Sequence, residues 1–327
     1  MHRIRLFGIF SSLLLSSILL LTMFGCAAEQ PEEKPTIRVA EANWTSQIVI
    51  AVIFDQIISK QMGYPVERVY GYGPICWAAM DKGEVDVAPE IWFPARGPEI
   101  QPYLDKGNIE LAGEVFGGAG NFWCVPRYVV EGDPDRGIEP MAPDLKTVLD
   151  VEKYWKLFEN PESPGKGEIV IGEVGWVNET PHIILYYDLP FWWSNQSEAV
   201  MLARMIAADK KGEPILICWW APHIAFTLVD LIRLENVDPD RTGEIDWDKD
   251  PYPFKTGTTT YTVYKVIRKG LAETAPDVYR LVHNFSVTDD EINGLTYRVD
   301  EEEEDVADVA ADWISQNQDR IDQWLAE

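Results

Sequence analysis

The chain has 327 residues, with 54 acidic and 28 basic side chains and a formal charge of −26 at pH 7. A surface of that sign repels nucleic acid and anionic lipid headgroups and attracts cations, so we expect no nucleic-acid partner. The length suits one large domain or two lobes.

The first 25 residues have the layout of a secretory signal peptide, with Arg3 and Arg5 ahead of an uncharged apolar run over residues 6–24. Gly25 and Cys26 follow, and a cysteine directly after a small residue resembles a bacterial lipobox, which makes Cys26 the expected lipidation site. An uncleaved membrane anchor and simple secretion are the alternatives. All three place the rest of the chain outside the cytoplasm, with residues 26–35 as a flexible, lipid-anchored tether.

Strands and helices alternate after the tether. In chain order we predict strand 36–44, helix 46–63 with Ser46 as its N-cap, strand 66–72, helix 73–83, strand 85–93, helix 100–107 and strand 109–116. This alternation with short loops is typical of an α/β sheet.

A Gly-rich loop at residues 117–120 precedes a change of character. The elements predicted after it are an extended segment 121–132, helix 147–160, strand 168–176, helices 180–189 and 197–212, strands 213–223 and 256–270, helix 274–285 and a final helix 306–325. We expect the chain to cross into a second lobe near 121–132 and to cross back in the strand 256–270. The final helix is amphipathic, which assigns Trp313 and Trp324 to the core.

Three cysteines remain after Cys26, and an odd number does not indicate a disulfide framework. Cys124 and Cys218 lie in apolar, strand-like segments and are the favoured pair if one bridge forms. The histidines are scattered and no CxxC motif is present. The sequence therefore predicts neither a metal site nor a cofactor.

Three strand-like segments end on tryptophan: VDVAPEIWFP at Trp92, EIVIGEVGWVNE at Trp176, and PILICWWAPH at Trp219 and Trp220. Ligands of α/β sheets bind beyond the carboxyl ends of strands, so these rings can face a cleft as readily as the core. The carboxylates near Trp92, at positions 84, 86 and 90, are expected to be solvated or to cap backbone.

Several tryptophan faces in an extracytoplasmic cleft suit two kinds of ligand, a sugar or a quaternary ammonium. The quaternary ammonium has no N–H to donate, and the negative faces of aromatic rings hold it without a directed hydrogen bond. Each ring contributes about 0.5–2 kcal/mol.

The chain resembles the glycine betaine/proline betaine substrate-binding proteins of ABC importers over roughly residues 36–327. The resemblance is carried by TIRVAEANW, GEVDVAPEIWFP, GEVGWVNE, SEAVMLARMIAADKKGEPI, CWWAPH and ADWISQNQDRIDQWL. It implies a two-lobed periplasmic-binding-protein-like fold of type II, with the ligand cleft between the lobes. Residues 36–122 plus 259–327 would form lobe 1, and residues 123–258 would form lobe 2.

The resemblance also implies site residues. Trp92, Trp176 and Trp220 match the aromatic box that encloses the trimethylammonium group, and Trp219 has no assigned role. His223 stands where some members place a residue near the ligand carboxylate.

Backbone N–H groups are the other expected contacts of that carboxylate. Val177 and Asn178, directly after Trp176, are the main candidates, and Thr45 and Ser46 are weaker ones. Ile224 replaces an aromatic residue that often follows in the family, and the Cys pair of some members is absent near Trp176.

The favoured reading is a lipoprotein that captures glycine betaine, proline betaine or a related quaternary ammonium osmolyte and delivers it to the transmembrane subunit of an ABC permease. A choline- or carnitine-binding protein is the alternative within this class. A sugar-binding module is a weaker one, with Asn178, Glu179 and Arg96 near the rings. We do not expect an enzyme, because the sequence has no G-x-S-x-G motif and GGAG at 117–120 lacks nucleotide-loop spacing.

Overall fold

The computed structural model describes residues 34–93, 96–176, 178–235 and 260–326. The predicted signal peptide, the lipidation site Cys26 and the ligand contact Val177 lie outside these residues. Within the described ranges, no helix combines the length and the apolar character that crossing a membrane requires.

In these described ranges, nine strands form one sheet. They are β1 (Ile37–Glu41), β2 (Val66–Tyr70), β3 (Val87–Phe93), β4 (Ile109–Pro126), β5 (Gly167–Ile171), β6 (Phe191–Asn195), β7 (Ile217–Ala221), β8 (Leu231–Arg233) and β9 (Thr260–Arg268). Their order across the sheet is β2-β1-β3-β9-β4-β7-β5-β6, and β8 pairs with β4. The pairs β1–β2, β1–β3, β5–β6 and β5–β7 are parallel, whereas β9 runs antiparallel to β3 and β4.

The helices cover both faces of this sheet. They are α1 (Thr45–Gln56), α2 (Pro74–Asp81), α3 (Gly97–Lys106), α4 (Arg127–Glu131), α5 (Thr180–Tyr186), α6 (Glu198–Lys211), α7 (Ala225–Leu228), α8 (Leu271–Thr274), α9 (Pro276–Asn284), α10 (Asp289–Asp300), α11 (Val306–Gln316) and α12 (Gln318–Ala326). A π-helical turn, Ile57–Gln61, extends α1, and a 3₁₀ segment spans Asp150–Phe158.

The long strand β4 connects the two parts of the sheet. Its residues from Ile109 to Gly120 pair with β9, and those from Gly120 to Cys124 pair with β7. The side chains buried before this point and after residue 260 form two hydrophobic clusters, and those between form two others. The predicted crossings near 121–132 and in 256–270, and the lobe boundaries drawn from them, stay predictions.

Helix α1 is buried because it is apolar on every side, which is typical of a helix enclosed by other elements. Its residues from Val49 to Phe54 are almost completely covered, and α10 and α11 pack against it. The predicted N-cap was wrong. Trp44 occupies that position, and Ser46 lies inside the first turn with its hydroxyl buried.

The favoured disulfide was also wrong, since Cys124 and Cys218 are free and buried, as is Cys76. In the β4–β7 ladder Cys218 is paired with Trp123, so Cys124 is one residue out of register. Successive side chains of a strand point to opposite faces, and the two sulfurs therefore lie on different sides of the sheet.

The predicted final helix is two helices, because α11 ends at Gln316 with Asn317 as its C-cap. The backbone N–H of Asn317 donates to Trp313 and Ile314, and its side-chain amide donates to the Trp313 carbonyl. These bonds satisfy carbonyls that a continuing helix would use. Strand β6 and helix α10 were not predicted from the sequence.

Candidate functional site

A cleft lies where β1, β3 and β7 end. It holds about 550 Å³ of empty space, including the part open to solvent. Its aromatic lining residues are Trp44, Tyr72, Trp77, Trp92, Trp176 and Trp220. The three tryptophans predicted from the sequence therefore line one cleft, and Trp44 and Trp77 line it with them.

Trp176 stands edge-on to two of the other tryptophans. Its ring centroid lies 5.8 Å from that of Trp44 at an interplanar angle of 77°, and 5.3 Å from that of Trp220 at 90°. Tyr72 meets Trp44 in the same way, at 5.5 Å and 76°. Rings at right angles form walls instead of a stack, so several negative ring faces can approach a single cation.

Neighbouring residues fix Trp176 and Trp220. The indole Nε1 of Trp176 donates to Asn43 Oδ1 at 2.8 Å. A side chain at Gly172 would collide with the Trp176 ring, so the ring position depends on this glycine. Trp219 stacks behind Trp220 with centroids 5.2 Å apart and planes 9° apart, and it is fully buried. Trp219 is therefore a core residue that supports the wall.

Glu90 is an acidic group in the cleft wall. Its Oε2 accepts hydrogen bonds from the indole Nε1 of Trp44 at 2.9 Å and of Trp92 at 3.2 Å. Its Oε1 makes no well-formed hydrogen bond with a described residue, although the Ser46 side chain lies near enough to favour the charged form. Burial raises the pKa of Glu90 to about 7, because these bonds offset only part of the desolvation cost.

Glu90 and Asp86 were predicted to be solvated or to cap backbone, and their burial shows that the first alternative was wrong for both. Only 6% of the Glu90 surface and 1% of the Asp86 surface is exposed. Asp86 is bonded by the Arg268 guanidinium and, at 2.7 Å, by the Arg38 backbone N–H. Asp86 directly precedes β3 and Glu90 lies within it, in a strand flanked on both sides whose residues 87–91 are buried.

The basic residue in the cleft wall, Arg96, is already engaged. Its guanidinium donates to both carboxylate oxygens of Glu99 at 2.8 Å and to the Gly175 carbonyl. In the described part of the chain, the lysines and arginines that lie over aromatic rings are all placed elsewhere. The tryptophan faces of the cleft are thus not covered by a described cation of the protein.

His223 lies behind the part of the cleft wall that Trp220 forms. Its ring centroid is 4.7 Å from that of Trp220 and 4.9 Å from that of Trp219. Its Nε2 bonds Glu198 Oε1 at 2.7 Å. His223 is not among the residues that line the cleft.

Asn178, like His223, is placed outside the cleft lining. Its side-chain oxygen accepts a hydrogen bond from the Thr180 backbone N–H at 3.0 Å, at the start of α5. Glu179, beside it, is fully buried and bonded by Asn121 at 3.1 Å. Burial raises the pKa of Glu179 to about 7.

Glu198, His223 and Asp300 form one group with the donor set of a metal site in the described residues, with candidate atoms within 4.8 Å of one another. However, Nδ1 of His223 accepts a hydrogen bond from the Ala225 N–H at 3.0 Å. In a neutral imidazole the proton then resides on Nε2, which donates to Glu198 and has no lone pair for a metal. Hydrogen bonding accounts for this cluster without an ion.

Comparisons with known proteins match most of this chain to one family. Residues 35–316 match the OpuAC family, described as the substrate-binding domain of ABC-type glycine betaine transport systems. The trimethylamine N-oxide-binding protein of Pelagibacter ubique is 24% identical over 315 residues, which cover 94% of this chain and 96% of that protein.

Solved structures share the fold. An ABC-transporter choline-binding protein in complex with choline superposes with a TM-score of 0.70 at 22% identity, covering 91% of this chain and 93% of that one. The glycine/betaine/L-proline-binding protein of Borrelia burgdorferi gives a TM-score of 0.71 at 22% identity, covering 88% and 96%. These likenesses confirm the predicted two-lobed α/β fold.

Proposed function

The chain belongs to the OpuAC family of ABC-type substrate-binding domains, and we propose that it captures a small trimethylammonium compound between Trp44, Trp92, Trp176 and Trp220. It delivers this osmolyte to the transmembrane subunit of an ABC permease from outside the cytoplasm, where a lipid on Cys26 anchors it. A substrate-binding domain holds and releases its ligand without a chemical step.

The observation that carries this proposal is the pairing of four tryptophans with one buried carboxyl. The rings offer negative faces, Glu90 adds an acidic group, and no described lysine or arginine covers the rings. Four rings at about 0.5–2 kcal/mol each supply about 2–8 kcal/mol. The upper part of this range reaches micromolar affinity, about −8 kcal/mol.

Ligand binding couples to closure of the two proposed lobes. Hydrogen bonds already cross the cleft from Trp176 to Asn43 and from Arg96 to the Gly175 carbonyl. A ligand that touches walls on both sides adds contacts only in the closed form and shifts the population toward it. The permease then recognises the closed form.

A sugar is disfavoured by the hydrogen bonds of the wall. Sugars need polar groups beside the stacking rings, and three of the polar side chains here are already engaged with the protein. Arg96 bonds Glu99 and Gly175, Asn121 bonds Glu179, and one Glu90 oxygen bonds two indoles.

Titration calorimetry of the full chain in a non-ionic detergent tests the proposal with choline, trimethylamine N-oxide, glycine betaine, carnitine and maltose. We expect heat with at least one trimethylammonium compound and none with maltose. The single substitutions Trp44→Ala, Trp92→Ala, Trp176→Ala and Trp220→Ala should each lower the affinity for it about tenfold, or about 1.4 kcal/mol.

Trp155→Ala is the matched control, because Trp155 lies in the 3₁₀ segment with Lys156 over its ring. Its affinity should equal that of the unchanged chain. The proposal fails if no trimethylammonium compound binds, or if all four cleft substitutions leave the affinity unchanged.

A further inference from the structure

Glu198, the first residue of α6, has both carboxylate oxygens held beside the cleft. Its Oε1 accepts from His223 Nε2 at 2.7 Å, and its Oε2 accepts from the Thr45 backbone N–H at 3.0 Å. The Thr45 hydroxyl also approaches Oε2 at 3.4 Å. Glu198 is 9% exposed and His223 is 6% exposed, so this pairing is buried.

The two donors make a site for one carboxylate. Thr45 is the first residue of α1, and the free N–H groups at a helix start carry partial positive charge. His223 presents an N–H, because its other ring nitrogen accepts from Ala225. One helix amide and one imidazole N–H therefore grip a carboxylate, and that carboxylate belongs to the protein itself.

Four other polar donors of the cleft are engaged as well. The Arg96 guanidinium bonds Glu99, and the Asn121 amide bonds Glu179. The indoles of Trp44 and Trp92 donate to Glu90. A ligand carboxylate that enters among the rings therefore finds these side chains occupied by oxygens of the protein.

Other acidic groups also lie near the Thr45 and His223 donors. Asp300 accepts from the Thr45 hydroxyl at 2.7 Å, and burial, with the Glu198 charge adding to it, raises the pKa of Asp300 to about 6. Glu90 lines the cleft, and Glu198 acts on it electrostatically. A ligand carboxylate would meet like charges here, which costs free energy in a buried site.

The polar atoms of the cleft that remain unpaired suit a ligand whose polar end is smaller than a carboxylate. Oε1 of Glu90 and Nε1 of Trp77, both in residues that line the cleft, make no well-formed hydrogen bond with a described residue. A hydroxyl can donate to the Glu90 oxygen and accept from the Trp77 N–H, whereas an N-oxide oxygen, which only accepts, can use the Trp77 N–H alone.

We propose that this chain selects trimethylammonium compounds without a carboxylate, those ending in a hydroxyl or an N-oxide oxygen, because Glu198 fills the carboxylate site formed by Thr45 and His223. The inference rests on the proposed function and narrows its ligand class. Under it, His223 positions Glu198 and does not touch the ligand.

The experiment compares choline, trimethylamine N-oxide and glycine betaine on the full chain by calorimetry. The unchanged chain should bind at least one of the first two about tenfold more tightly than glycine betaine. Glu198→Ala frees both donors and should shift the affinity ratio toward glycine betaine about tenfold. Added acetate, which can occupy the vacated position, should reverse that shift.

Glu213→Ala is the matched control, since Glu213 is an exposed carboxylate just after the same helix. Its affinity ratio should not change. If Glu198→Ala does not fold, the inference is tested by the unchanged chain alone, through its affinity for choline and the N-oxide relative to glycine betaine.

The outcomes separate the two proposals. Absence of binding by every trimethylammonium compound overturns the proposed function. Glycine betaine binding as tightly as choline and the N-oxide, or a Glu198→Ala ratio equal to that of the unchanged chain, overturns this inference alone.

Discussion

Two clusters of tryptophan in this protein differ in what faces their rings. Near the C-terminus, Trp313 and Trp324 stack with centroids 6.4 Å apart and pack on Phe285 at 5.9 Å and 5.3 Å. The Arg320 guanidinium lies 5.1 Å from the centroid of each tryptophan. In the cleft, Trp44, Trp176 and Trp220 stand edge to face around open space.

The difference shows that ring composition alone does not identify a binding site. In the C-terminal cluster the Arg320 guanidinium already lies over the rings, and it forms a salt bridge with Glu291 at 2.9 Å. The cleft has the acidic partner, Glu90, and no described cation over its rings. A cluster that lacks its own cation is the one suited to take a cation from solution.

The largest expected effect is a loss of stability when the C-terminal cluster is disrupted. Trp313→Ala should lower the free energy of unfolding by about 3–5 kcal/mol, because Trp313 is a covered core residue and its loss leaves a cavity. Urea denaturation measures this loss, with the denaturant slope as a check for two-state behaviour.

The same variant tests whether the two tryptophan clusters have different roles. The folded fraction of Trp313→Ala should bind its ligand as tightly as the unchanged chain, whereas Trp176→Ala should lose affinity. If Trp313→Ala weakened binding in the folded fraction as much as Trp176→Ala does, the two clusters would not be functionally distinct.

A smaller effect concerns pH and the acid of the cleft. The pKa of Glu90 is raised from 4.5 to about 7 in the folded chain. Its contribution to stability is therefore complete below about pH 4.5 and is lost as pH rises through about 7. Glu179, with a pKa of about 7, and Asp300, with a pKa of about 6, act in the same direction.

A bound cation favours the ionised form of Glu90, so the affinity for choline should rise several-fold with pH. The groups that face Glu90 are the Trp44, Ser46 and Trp92 side chains and the more distant Glu198. Calorimetry at about pH 5.5 and about pH 8.5 brackets the pKa of Glu90.

Glu90→Gln should remove most of this rise, because the amide does not ionise. Glu179→Gln is the control, since Glu179 is also buried but does not line the cleft. A pH dependence that survives Glu90→Gln and disappears in Glu179→Gln would contradict the assignment of the cleft charge to Glu90.

The sequence predicted the cleft where the signal was local. Trp92 and Trp220 lie at strand ends and Trp176 follows one, and a strand end faces the ligand edge of an α/β sheet. Trp44 was absorbed into the first predicted strand. It lies three residues beyond β1, at the N-cap of α1, where the chain turns its ring into the cleft.

The parts that the sequence could not predict depend on partners distant along the chain. Glu90 resembled a solvated strand residue, and its role comes from the Trp44 indole, 46 residues away. Glu198 resembled an ordinary first-turn acid of α6. Its contact with Thr45, 153 residues away, exists only when the sheet brings the starts of two helices together.

The central claim is that the tryptophan cleft holds a positive charge and not merely an apolar shape. The most direct test compares choline with its uncharged carbon analogue, in which the quaternary nitrogen is replaced by carbon, by calorimetry on the full chain. The two have the same shape, so their difference measures the charge. We predict that choline binds at least about tenfold more tightly, or about 1.4 kcal/mol. Equal affinities would contradict the account.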